Sequence, residues 1–181
     1  MAESTSSTTR IAEAQASLDV DFATPAAGVL QVRYRLRNGG AEAIAVFDRG
    51  NRHAVLTGQQ VRGAVGMPLL REDADGRIIL QHVAIRLPNP APTLPPTPLA
   101  TRVAPGHALE DGFTFSRWLG DPPRHVRWCL GVAPFDAADF HAPDTVDGIE
   151  IWQASFALAD RQRLLCTPWF DVANGVFLSP G

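Results

Sequence analysis

Residues 30–37 alternate without a break. Leu30, Val32, Tyr34 and Leu36 share one side, and Gln31, Arg33, Arg35 and Arg37 share the other. A period of two marks a strand with one buried face and one wet face. Asn38-Gly39-Gly40 ends the run with residues suited to a turn. A weaker copy precedes it: Leu18, Val20 and Phe22 point one way, Asp19 and Asp21 the other. The two are expected to form an antiparallel hairpin. Register can move only in steps of two if both apolar sets are to stay buried. Placing Phe22 opposite Leu30 sets Val20 against Val32, Leu18 against Tyr34 and Asp19 against Arg33, with residues 23–29 as the loop.

Further strands are expected at 43–47, at 65–71 and 77–87 as a hairpin across an Asp-Gly turn, and at 99–104, 112–118 and 124–133. Residues 88–98 hold six prolines in eleven positions and must run as a polyproline-like loop. Residues 49–64 are polar and show no period. Residues 134–148 read as a loop with room for one helical turn. Residues 149–158 fit a helix face and a strand equally; the strand-rich context favours a strand, turning at Asp160-Arg161-Gln162 into a further strand from Arg163 to Cys166. Residues 1–14 read as a disordered or loosely ordered tail whose first twelve residues are removable without loss of stability. The expectation is therefore all-β: an antiparallel β-sandwich of about 7–9 strands with little helix, as a single domain over 15–181.

Two segments carry a resemblance. Val29 to Gly40, running on through Ile44 to Arg49, has the form V-x-Y-x-L-x-N followed by a short apolar strand. Leu99 to Gly106 followed by Phe113-Thr114-Phe115 is an apolar strand, a Pro-Gly turn and an apolar strand. Both are similar to passages in immunoglobulin-like β-sandwich domains of uncharacterised bacterial proteins. The resemblance covers about a third of the chain and implies a fold class only. Trp128 directly precedes Cys129, so the antibody arrangement of two cysteines about a core Trp is not met.

The formal charge is −3, from 16 basic and 19 acidic residues, so neither nucleic acid nor an anionic membrane surface is an expected partner. Every basic residue is Arg. With no lysine, Schiff-base chemistry, a lysine base and a P-loop are excluded. No apolar run approaches the roughly 18 residues of a membrane span. The start of the chain lacks a signal-peptide pattern, so the expected compartment is the cytoplasm; the alternative is the periplasm, had an export signal been removed. Two cysteines fall short of a disulfide framework. Cys129 and Cys166 are expected as buried free thiols, with one bridge as the alternative should their strands be neighbours.

No G-x-S-x-G, Walker or H-E-x-x-H pattern occurs. His53, His82, His107, His125 and His141 show no ligand spacing. Asp136, Asp139, His141, Asp144 and Asp147 form the densest polar cluster, which reads as a solvated acidic loop before it reads as a cation site. The Arg33–Arg35–Arg37 stripe reads as a solvated outer face before an anion grip. No catalytic, cofactor-binding or metal residue is assigned, and no cofactor is expected. The leading expectation is a non-catalytic interaction or structural module whose partner is another protein, or a second copy through sheet edges. The alternative is a β-barrel metal-dependent enzyme or small-ligand-binding protein using scattered His and Asp.

Overall fold

A computed structural model of the chain describes residues 7–179. The protein is all-β, with 49% strand and 8% helix. The strands are β1 (Thr8–Glu13), β2 (Ala16–Ala26), β3 (Val29–Asn38), β4 (Ile44–Val46), β5 (Leu69–Glu72), β6 (Ile78–His82), β7 (Leu99–Val103), β8 (Ala108–Phe115), β9 (His125–Pro134), β10 (Phe140–Val146), β11 (Ile149–Ala154), β12 (Arg163–Cys166), β13 (Phe170–Asp171) and β14 (Val176–Phe177). One short helix, α1 (Arg52–Leu56), is capped by the Asn51 side chain, which accepts from the Ala54 amide. Two 3₁₀ turns lie at Ala137–Asp139 and Phe156–Asp160.

The strands make two sheets. The smaller has the order β1-β2-β3-β8. The larger has ten strands and runs β10-β11-β7-β4-β9-β13-β14, with β12 and β6 also on β9 and β5 on β6. The β6–β9 pair is parallel and the rest are antiparallel. The apolar face of β2 and β3 packs against Leu80, Val126, Trp128, Leu130, Leu165 and Phe170 of the larger sheet. A second apolar layer, including Phe47, Ala100, Ala133, Phe140 and Leu158, covers the larger sheet's other side. Strands covered on both faces lose their alternation. That is why β4 and the second half of β9 read as apolar runs while β2 and β3 alternate.

Several expectations need correction. Residues 8–13 are not a tail: β1 pairs with β2 in register from Thr8↔Asp21 to Glu13↔Ala16. The first six residues lie outside the described chain. The β2–β3 hairpin buries the expected faces but is displaced by one two-residue step, with Phe22↔Val32 and Asp19↔Arg35. A bulge between Ala23 and Ala26 extends pairing into the expected loop and shortens the turn. Asp19 pairs with Arg10 of β1, at 2.6 Å, and not with Arg33. The expected loop at 134–148 contains β10, and residues 149–158 divide into β11 and a 3₁₀ turn. The strand count exceeds 7–9 because β1 and β10 arise in the expected tail and loop and the two-residue β13 and β14 carry no legible period.

Cys129 and Cys166 sit directly opposite each other on β9 and β12, with Cα atoms 4.0 Å apart, and are bridged. The free-thiol expectation is overturned because the chain returns β12 antiparallel to β9, a proximity that spacing alone cannot reveal. The bridge closes a loop of 37 residues. Cys129→Ala with Cys166→Ala should lower stability by about 2–4 kcal/mol in denaturant melts. In the native protein neither thiol should be alkylated until a reductant is added.

β1 contributes an edge strand and packs Ile11 against the core. Deleting residues 1–13 should therefore cost more than about 1 kcal/mol in the same assay, because Leu18 and Val20 lose the strand that shields their edge.

Candidate functional site

The chain that leaves β4 carries Asp48 and Arg49 straight into the space between the sheets. Both are buried, at 0% and 1% exposure. Ions removed from water need every partner they can find, and here they have them. The Tyr34 hydroxyl donates to Asp48 Oδ2 at 2.7 Å, and the Thr101 hydroxyl donates to Asp48 Oδ1 at 2.8 Å. Arg49 Nε donates to Thr101 Oγ1 at 2.9 Å, Nη1 to the Gly63 carbonyl at 3.0 Å, and Nη2 to Asp111 Oδ2 at 2.7 Å. The Arg49–Asp48 ion pair spans 3.3 Å.

Burial pushes the Asp48 carboxyl above its ordinary range, against the pull of Arg49 and the two hydroxyls. Burial pulls the Arg49 guanidinium down, but Asp48 and Asp111 outweigh it and the net shift is upward. Tyr34 is pushed well up by burial and by Asp48, so its proton stays on and keeps donating. The pair is fully partnered and held in place. It joins β3, β7 and β8 to the long 47–68 connection.

His82 anchors the same connection. Trp128 Nε1 donates to His82 Nδ1 at 2.9 Å, which leaves Nε2 to donate to the Gly66 carbonyl at 2.6 Å. Burial, with Arg49 adding to it, lowers the His82 pKa to about 4. A histidine kept neutral when folded and protonated when unfolded costs stability as pH falls through its unfolded value near 6.5, and the loss saturates below about 4. The wild type minus His82→Gln difference in stability should fall by about 3 kcal/mol between neutral pH and pH 4. Taking the difference removes the opposite contribution of Asp48, whose raised pKa favours the folded state in acid.

The other histidines do not join it. The His53 ring meets the Leu94 carbonyl at 3.1 Å, and His107 and His141 are exposed. His125 lies 3.8 Å from Asp171. Among the described residues no three His, Cys, Asp or Glu side chains converge as a metal-binding group. The acidic cluster is spread out. Asp136 caps a 3₁₀ turn, Asp139 pairs with Arg161, and Arg62 bonded to Asp144 holds that carboxyl below its usual range. The proline segment lies along α1, with the Thr97 carbonyl accepting from the Arg52 amide.

The arginine stripe lies where the pattern put it, on the outer face of the smaller sheet. Register arranges this face in rows. Arg10, Asp19, Arg35 and Glu110 stand side by side across the four strands, as do Thr8, Asp21, Arg33 and Gly112. Arg35 pairs with Glu110 at 3.0 Å. Among the described residues Arg33 and Arg37 make no ion pair. An open groove of about 890 Å³ runs over these rows. A second cleft, of about 450 Å³, lies between residues 111–114 of β8 and the 63–68 segment. Asp111, Gly112, Phe113 and Thr114 line both.

Sequence reading missed Asp48, Arg49 and Asp111. The one available signal was an Asp-Arg pair directly following the apolar Ile44–Phe47 run. The site and fold define an all-β domain with a sealed polar core and a charged open face. No protein-family model, curated protein or solved structure matches the chain. No helix among the described residues is long and apolar enough to cross a membrane.

Proposed function

We propose that this is a non-catalytic, polypeptide-binding β-sandwich module that works in an oxidising compartment and meets its partner with the outer face of the four-stranded sheet. One observation carries the reading. The buried Asp48 and Arg49 are spent on each other and on Asp111, whereas an open groove of about 890 Å³ overlies a charged sheet face on which, among the described residues, Arg33 and Arg37 make no ion pair. Structural disulfides persist where thiols are not kept reduced, which favours an extracytoplasmic site over the cytoplasm. The two-sheet packing about Trp128 supports kinship with immunoglobulin-like sandwiches at the level of architecture. The bridge departs from antibody domains by joining neighbours within one sheet.

Arg33 and Arg37 are exposed, so Arg33→Glu with Arg37→Glu should leave the melting temperature within a few degrees of wild type. In chemical cross-linking of envelope extracts, a partner captured by the wild type should be lost from the double variant. Identical capture by both proteins, or turnover in a hydrolase panel, would overturn the reading.

A further inference from the structure

We propose that the free edge of β8 receives one extended segment of a partner polypeptide as an added antiparallel strand, whose side chain facing Gly112 is acidic and whose next side chains are basic. This rests on the binding-module reading and names its route.

The edges of the two sheets are not alike. β10 carries Pro143 and a bulge between His141 and Asp144. β5 is four residues long and follows Pro68, and β14 has two residues. β1 is approached by β12 and β14, and Glu13 pairs with Arg163 of β12. Such devices are how proteins blunt an edge. Among the described residues nothing pairs with the outer edge of β8, which runs beside β3 over eight consecutive residues without a bulge or proline.

The parity of its free groups follows from the ladder. The Asn38 amide donates to the His107 carbonyl, so odd-numbered residues of β8 face β3. The amides and carbonyls of Glu110, Gly112 and Thr114 point outward. The Gly112 amide is taken by Asp111 Oδ1 at 2.9 Å. An incoming carbonyl would replace that bond and release the oxygen.

An added strand sends alternate side chains to opposite faces. One set enters the groove beside Gly112. There a Cβ would meet the Val32 carbonyl oxygen at 2.6 Å, so this row is held open on the far side of Arg33 from Asp21, with which Arg33 makes no ion pair. The other set enters the cleft, where Arg49 is already committed to Asp48 and Asp111 and where Asp147 stands on the rim. Asp147 makes no ion pair among the described residues, which leaves that rim negative. Charge complementarity thus asks for acid on one face and base on the other.

The probe is the end-blocked peptide Thr-Val-Thr-Arg-Glu-Arg-Thr-Val-Thr, titrated into the full chain and read by amide chemical shifts. It should bind about tenfold tighter than the charge-swapped Thr-Val-Thr-Glu-Arg-Glu-Thr-Val-Thr, with shifts centred on Glu110, Gly112 and Thr114. N-methylation at its central Glu should abolish binding, since that residue bonds to β8; N-methylation at an Arg should not. Thr114→Pro, which removes only an outward amide, should keep the wild-type melt and weaken binding by about tenfold. Equal affinity for both peptides, undiminished binding by Thr114→Pro, or no binding of either peptide at millimolar concentration would overturn the proposal. If the peptide fails while the Arg33/Arg37 variant still loses its cross-linked partner, the module reading stands and the edge is not its route. If both fail, the reading falls as well.

Discussion

The buried Asp48–Arg49 pair is the interaction on which the arrangement depends. A carboxylate and a guanidinium without water are tolerable only when every lone pair and proton has a partner. The partners come from four places: Tyr34 on β3, Thr101 on β7, Asp111 on β8 and the Gly63 carbonyl in the long connection. The pair is therefore a statement about the relative position of both sheets. Sliding either sheet by one residue would strand a charge. An apolar core is permissive about small shifts; this cluster is not, and it gives the packed sheets one registry.

The same cluster explains why a 47–68 segment with little regular structure is ordered. Arg49 holds Gly63, Gln60 donates to the Arg49 carbonyl at 2.7 Å, and His82 holds Gly66. Gly66 lies so close to Gly50 that a Cβ there would meet the Gly50 backbone at 2.5 Å. The segment forms one wall of the cleft beside β8, so the rigidity of the core is passed to the surface that the proposed partner would meet. Asp111 stands at that junction, bonded to the core through Arg49 and to the free edge through the Gly112 amide.

The larger sheet gains its stability differently. It is apolar on both faces, and β9 carries four neighbours along its ten residues: β4 and β6 on one side, β12 and β13 on the other. The Cys129–Cys166 bridge ties β12 to the middle of that strand. A short four-residue strand has little ladder of its own, and the covalent link holds it where Leu165 enters the core.

The sequence by itself determined the faces of β2 and β3, the Asp-Gly hairpin between β5 and β6, the all-β class and the outward placement of Arg33, Arg35 and Arg37. All of these rest on local chemistry: alternation at a period of two, and turn residues with their own backbone preferences. It did not determine the hairpin register, because a step of two keeps both faces buried and only the bulge at residues 23–26 and the demands of β1 and β8 choose between steps. Nor did it determine β1, whose few apolar residues gain a partner only once β2 is formed. The cysteine bridge, the Asp48–Arg49–Asp111 cluster and the free edge of β8 were decided by tertiary structure alone. The bridge joins residues 37 positions apart, the Arg49–Asp111 contact residues 62 apart, and β8 pairs with β3 over still longer separations. Such contacts leave no local period, because what creates them is the return path of strands whose own patterns are silent about their neighbours.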